Sequence, residues 1–235
     1  MKLFSTGNGA LQRAAGLNGA KVIVFSIPAL KTGEGAVICP MAGDCAKDGA
    51  CYAMRGSYSW RGVKEAFEKR YAATLAHHFI DDAVTEIRSV LKHTKLRLFV
   101  RVHDSGDFYS PAYLDKWLDI ANSLPHVTFY AYTKSLPWVR KAKADGKVPK
   151  NFVFTFSMGG KLDHTVDRAT EKHTQMFPDL ASLEAAGYAN TTKDDLIAAD
   201  PNVLKVGLIY HGGTKGAEAW KLPWKGMKAY KEAKS

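Results

Sequence analysis

The feature that most limits the fold is an alternation along the chain. Short apolar runs of strand type each hand over, at their C-terminal end, to a polar or glycine-rich segment, with helical periodicity between them. Residues 21–28 (Val22, Ile23, Val24, Phe25, Ile27, then Pro28), 96–102, 126–133, 151–157 and 203–210 have the length and the β-branched or aromatic content of buried strands. Four-residue spacing of Val63, Phe67, Tyr71 and Leu75, continued by Ile80, Val84, Ile87 and Leu91, predicts two helices or one bent helix. Ser110 caps a helix that Pro111 opens and that carries Leu114, Trp117, Leu118 and Ala121 on one face; Pro137 starts a short helix ending near Gly146. Residues 162–175 are less regular and partly helical, and 180–186 and 193–199 suit short helices. Strand and helix in this succession predict a parallel sheet with crossover connections, hence an α/β fold, an open or partial (β/α) barrel.

In such architectures ligands sit at the carboxyl edge of the strands, where the strand ends converge. Here that edge would carry a cysteine-rich loop, His103 to Asp107, Thr133-Lys134-Ser135, Ser157-Met158-Gly159-Gly160 and His211-Gly212-Gly213-Thr214. All three cysteines, Cys39, Cys45 and Cys51, fall within thirteen residues, interleaved with Ala42, Gly43, Ala46, Gly49 and Ala50. Small residues let the backbone curl so that sulfurs converge on a metal. Three thiolates on a [4Fe-4S] cluster would leave one iron open to another ligand. Zinc held by the three thiolates and His103 or His211 is an alternative, as is a loop without metal. A disulfide would strand the third thiol.

Among the strand-end residues, His103 and Asp104 could bind a ligand or move a proton, or could form a hydrogen-bonded corner. Lys134 could anchor a carboxylate or phosphate, or be a surface lysine. His211, before Gly212-Gly213, is a functional candidate or a histidine satisfied locally, and Trp60, Trp117 and Trp138 sit at helical spacings suited to core.

The 235 residues suit one domain: an N-terminal extension over 1–20, a barrel core over 21–160 with the cysteine loop at 39–51, the rest of the barrel over 161–213, and a basic tail over 214–235. Lysine and arginine outnumber acids by 33 to 23, a formal charge of +10, which favours polyanions and also confers solubility. Lys215, Lys221, Lys225, Lys228, Lys231 and Lys234 crowd the tail among Trp220, Trp224 and Tyr230, so weak nucleic-acid binding through the tail is expected, against a plain solvated segment. The sequence has neither a signal-peptide pattern at its start nor an apolar stretch of bilayer length, so a cytoplasmic protein without a membrane partner is expected.

A first strand followed by a three-cysteine loop and a parallel β/α succession resembles the radical S-adenosylmethionine superfamily. The stretches 25–30, 39–53, 100–107 with Trp117, and 129–135 are more closely similar to a phage-encoded family known as gene product eighty-eight. The resemblance implies a partial barrel of radical-SAM type and a [4Fe-4S] cluster on Cys39, Cys45 and Cys51. It also implies S-adenosylmethionine bound near His103, Asp104, Ser105, Asp107, Thr133, Lys134 and Ser157. An enzyme of this kind would draw on a reductant, cleave S-adenosylmethionine and act on a substrate that the sequence does not name, in the host cytosol if phage-encoded. The cysteine spacing of five and five residues departs from the superfamily's three and two, and Tyr52 follows the last cysteine where an aromatic residue usually precedes it. A non-enzymatic cluster protein, structural or redox-sensing, and a basic nucleic-acid-binding accessory protein are therefore the alternatives.

Overall fold

A computed structural model describes residues 1–7, 9–47, 50–223 and 226–234. Its frame is a seven-stranded sheet in the order β1-β2-β3-β4-β5-β7-β6, a parallel half-barrel. The strands are β1 (Ala20–Phe25), β2 (Arg97–Val102), β3 (Thr128–Thr133), β4 (Phe152–Ser157), β5 (His173–Phe177), β6 (Ala189–Asn190) and β7 (Lys205–Ile209). Every ladder between neighbours is parallel, from Ala20 beside Arg97 through Phe25 beside Val102 at one side to Asn190 beside Gly207 at the other.

Helices α1 (Gly9–Leu17), α2 (Arg61–Leu75), α3 (Phe79–Lys92), α4 (Pro111–Asn122), α5 (Leu136–Ala144), α6 (Leu180–Ala185), α7 (Thr214–Ala219) and α8 (Gly226–Glu232) connect or flank the strands. Local chemistry sets several boundaries. The Ser110 hydroxyl accepts the Tyr113 N–H at 3.1 Å with Pro111 in the first turn, which starts α4. Asp179 caps α6 in the same way through the Ser182 N–H.

Because side chains alternate across a strand, the sheet buries two different faces. Ile23, Phe25, Leu98, Val100, Val102, Phe129, Ala131, Phe152, Phe154 and Phe156 pack outward against α3, α4 and α5, with Trp117 of α4 fully buried among Phe4, Phe25, Phe79 and His103. Each large side chain sequestered there contributes about 1.5–3 kcal/mol. The opposite face carries Val22, Val24, Tyr130, Val153 and Val206, covered by Leu11 and Ala15 of α1 and by Ala198 and Ala199 of a 3-10 turn, Asp195–Ala199.

Several expectations are corrected. The 162–175 stretch expected to be partly helical contains a 3-10 turn, Asp163–Thr165, and then runs into strand β5, and a two-residue strand, β6, follows α6; polar runs such as His173-Thr174-Gln175 lack the apolar signature of a buried strand. In the N-terminal extension over 1–20, Leu3 and Phe4 join the core, Ser5 bridges Val24, and α1 fills the inner face. Trp60, expected in the core, is 67% exposed at the position that precedes α2, whereas Trp117 is buried and Trp138 partly so. The tail folds back: Ala217, Ala229 and Ala233 are buried, while Trp224 and Lys225 lie outside the described residues. Among the described residues no helix is long and apolar enough to cross a membrane.

Candidate functional site

The cysteine loop is zipped to the end of β4. Gly43 and Cys45 N–H groups both donate to the Gly159 carbonyl at 3.0 Å, Lys161 N–H donates to the Met41 carbonyl at 2.9 Å, and Ala42 bridges Gly160. A Cβ on Gly43 would stand 2.7 Å from the Gly160 carbonyl carbon, so this approach requires glycine. The Gly159-Gly160 pair therefore serves the loop. Cys39 is set by the Leu30 carbonyl, which accepts its N–H, and its Sγ accepts the Leu30 N–H at 3.3 Å. Trp220, at the end of α7, donates its Nε1–H to the Ala50 carbonyl at 3.2 Å and lays its ring over Gly159. Asp48 and Gly49 lie outside the described residues.

All three thiols are free, partly buried and open on one cavity of about 760 Å³. Burial pushes the Cys39 and Cys51 thiols up from their ordinary value; the Asp107 carboxylate and the other two cysteines add to this at Cys39, and Cys45 adds to it at Cys51. The ends of β2, β3, β4 and β7 reach the same cavity through residues 103–107, Lys134, Ser157 and residues 209–212.

The strand-end residues divide by role. The His103 ring turns into the outward core, against Phe25, Phe108 and Trp117, and its Nε2 pairs with the Tyr113 hydroxyl at 2.9 Å. Burial lowers its pKa to about 3, so it is neutral, and its Nδ1 has no partner among the described residues. Its φ of 66° is left-handed, which turns the chain from β2 into the next segment. Asp104 is held by the Ser26 hydroxyl and by Tyr58 at 3.0 Å, while the Tyr52 hydroxyl donates to the Asp104 carbonyl. Tyr52 thus ties the cysteine loop to β2.

Asp107 is buried and accepts from Phe108 N–H (2.8 Å), Thr133 Oγ1 (2.6 Å) and Lys134 N–H (2.8 Å). Burial raises its pKa, and these hydrogen bonds oppose the rise. Lys134 reaches Ser157, Nζ to Oγ 2.8 Å. Ser105 is buried with its hydroxyl unpartnered among the described residues. His211 lies against Tyr230 with ring centroids 4.6 Å apart and planes tilted by 49°, and burial, then Arg55 and Lys234, lower its pKa.

A second polar group on the inner face has no counterpart in the sequence reading. Arg101 of β2 pairs with Asp195 at 3.1 Å, and the Tyr130 and Tyr132 hydroxyls donate to the same carboxylate at 2.7 and 3.2 Å. Arg101 also lies 5.3 Å over the Tyr132 ring. The available signal is parity: Arg101 is a charge in the middle of an apolar strand, on the face that Phe99 shares.

Among the described residues no three His, Cys, Asp or Glu side chains form a ready-made metal-ion site. The model for Gene product 88 matches residues 2–223. The chain belongs to the Gene product 88 family. No curated protein and no solved structure matches it.

Proposed function

We propose that this Gene product 88 chain is an iron–sulfur protein of radical-SAM type, with a [4Fe-4S] cluster on Cys39, Cys45 and Cys51 and S-adenosylmethionine beside it. The observation that carries the reading is that three unpaired thiols, brought in by one loop after β1, open on a single large cavity at the carboxyl edge of a parallel half-barrel. His103, a candidate fourth zinc ligand, is committed to Tyr113 and the core, which disfavours the zinc alternative through that residue. A backbone N–H donated to Cys39 Sγ is the kind of contact that stabilises a metal-bound thiolate. When bound, the cluster would supply an electron and an open iron position.

This chain's own residues then have defined tasks. Asp107 fixes the turn after β3 by binding Thr133 and the Lys134 N–H, which aims the Lys134 ammonium along Ser157 into the cavity. Lys134 is placed to meet a carboxylate there. Tyr52 and Tyr58 hold Asp104 at the opposite wall, and Trp220 covers the loop and limits water.

The test is anaerobic preparation followed by iron and sulfide analysis and electron paramagnetic resonance. About four iron and four sulfide per chain are expected, lost on replacing any of the three cysteines with Ala, and S-adenosylmethionine should change the spectrum of the reduced protein. One zinc per chain and no sulfide would overturn the cluster, and an unchanged spectrum with an intact cluster would overturn S-adenosylmethionine binding.

A further inference from the structure

The wall of the cavity is unevenly charged. Six Lys or Arg residues line it against three carboxylates, and all three carboxylates are already taken up by the protein: Asp104 by Ser26 and Tyr58, Asp107 by Thr133 and Lys134 N–H, Asp195 by Arg101 and two tyrosines. Among the described residues, Arg55 and Lys234 make no ion pair, yet both face His211. Arg55 reaches Gly212 so closely that a Cβ there would stand 2.5 Å from its guanidinium, and Lys234 lies 4.9 Å over the Tyr230 ring, itself beside His211. Two cations from segments about 180 residues apart along the chain are thus gathered against aromatic rings, with no counter-charge among the described residues, at the C-terminal wall.

Like charges held together in a partly enclosed space cost free energy that an anion would return. The cluster and S-adenosylmethionine offset each other in this respect, because a cubane on three thiolates is anionic and the sulfonium compound cationic. Arg55 and Lys234 then remain for another anion. Tyr210 and Tyr230, beside Gly212 and His211, also line this part, and flat aromatic faces beside cations are the pairing that takes a base and its phosphate together. A volume of about 760 Å³ lies within the range of small-molecule sites.

We propose that the C-terminal wall of the cavity is a nucleotide site, with phosphate between Arg55 and Lys234 and the base against the neighbouring aromatic rings. It deepens the proposed function by giving that site a substrate class, and it rests on that reading only in assigning the cysteine side to the cluster and S-adenosylmethionine. The ligand chemistry is shared by a free nucleoside phosphate and by a residue of a single strand.

The experiment is calorimetric titration of the anaerobic full chain, saturated with S-adenosylmethionine, with 5′-mononucleotides, the matching nucleosides and a short single-stranded oligonucleotide. Mononucleotide should bind at least about tenfold more tightly than nucleoside. Arg55→Gln and Lys234→Gln should each weaken it by roughly tenfold, with iron content and melting temperature unchanged. Arg55→Lys should retain most of the binding, and the exposed Lys234 keeps the test open if Arg55→Gln fails to fold. Tighter binding of the oligonucleotide would identify a strand as the source, and equal binding a free nucleotide. Binding by protein that lacks iron would uphold this site and sink only the cluster. Equal affinity for nucleoside and nucleotide, unchanged affinity in both Gln variants, or no binding by a folded protein would overturn the proposal.

Discussion

Replacing Gly159 with Ala tests whether the end of β4 is built for the cysteine loop. Gly159 has φ of +92°, and a Cβ there would stand 2.3 and 2.6 Å from two atoms of the Trp220 ring and 3.2 Å from the Cys45 Cβ. Holding a residue with a side chain in that backbone region costs about 1–3 kcal/mol. Moving the indole also breaks its bond to the Ala50 carbonyl, worth about 1 kcal/mol. The expected loss is about 3 kcal/mol, which at a urea slope of about 2 kcal/mol/M moves the midpoint down by about 1.5 M. Urea denaturation followed by tryptophan emission reads both parts, since Trp220 should also shift to the red, and thiol alkylation should accelerate at Cys45. In the background of Trp220→Ala the Gly159→Ala cost should shrink to the backbone share. An unchanged midpoint, or equal costs in the two backgrounds, would refute the close approach of loop, glycine and indole.

Asp195→Asn should destabilise the fold by about 3 kcal/mol, because Arg101 is left on the inner face without its counter-charge, and Arg101→Met in the same chain should recover part of the loss; urea midpoints check both. Stability should also fall with acid: His103 protonates at about 3 when folded and near 6.5 when unfolded, so between those values the unfolded chain binds the extra proton. Its contribution is intact above about pH 6.5 and is lost toward pH 3 by about 1.4 kcal/mol per unit, and His103→Asn should flatten the slope by that amount in denaturation curves from pH 7 to pH 4.5; an unchanged slope would show that the ring is not buried.

Much of the frame was legible because it follows from local periodicity. The strands at 21–28, 96–102, 126–133, 151–157 and 203–210 and the helices after Ser110 and Pro137 announce themselves through β-branched runs, caps and four-residue spacings. The convergence of their carboxyl ends on one cavity follows from parallel order. β5 was hidden because two of its three buried positions, His173 and Thr174, are polar, with only Phe177 apolar, and His173 is held by Tyr188 and Leu204, distant in sequence. The inner network was missed for a related reason: the contact of Arg101 with Asp195 depends on tertiary placement, and nothing near either residue predicts the other. Trp60 shows the opposite error, where helical spacing suggested burial and the helix begins one residue later.

The inner face also constrains the order in which the protein can be finished during synthesis. Its filling comes from the two ends of the chain's itinerary: α1, made first, and the turn Asp195–Ala199, made late, with Asn18 joined to Asp194 at 2.9 Å. A nascent chain that has already released β1 to β4 still presents Arg101, Tyr130 and Tyr132 without the carboxylate they share. Until residue 195 leaves the ribosome, the half-barrel therefore has a finished convex side and a wet, charged concave one. The cysteine loop, on the same cavity, meets a similar delay, because Trp220 arrives later still. The loop thus lacks its indole cover through most of translation.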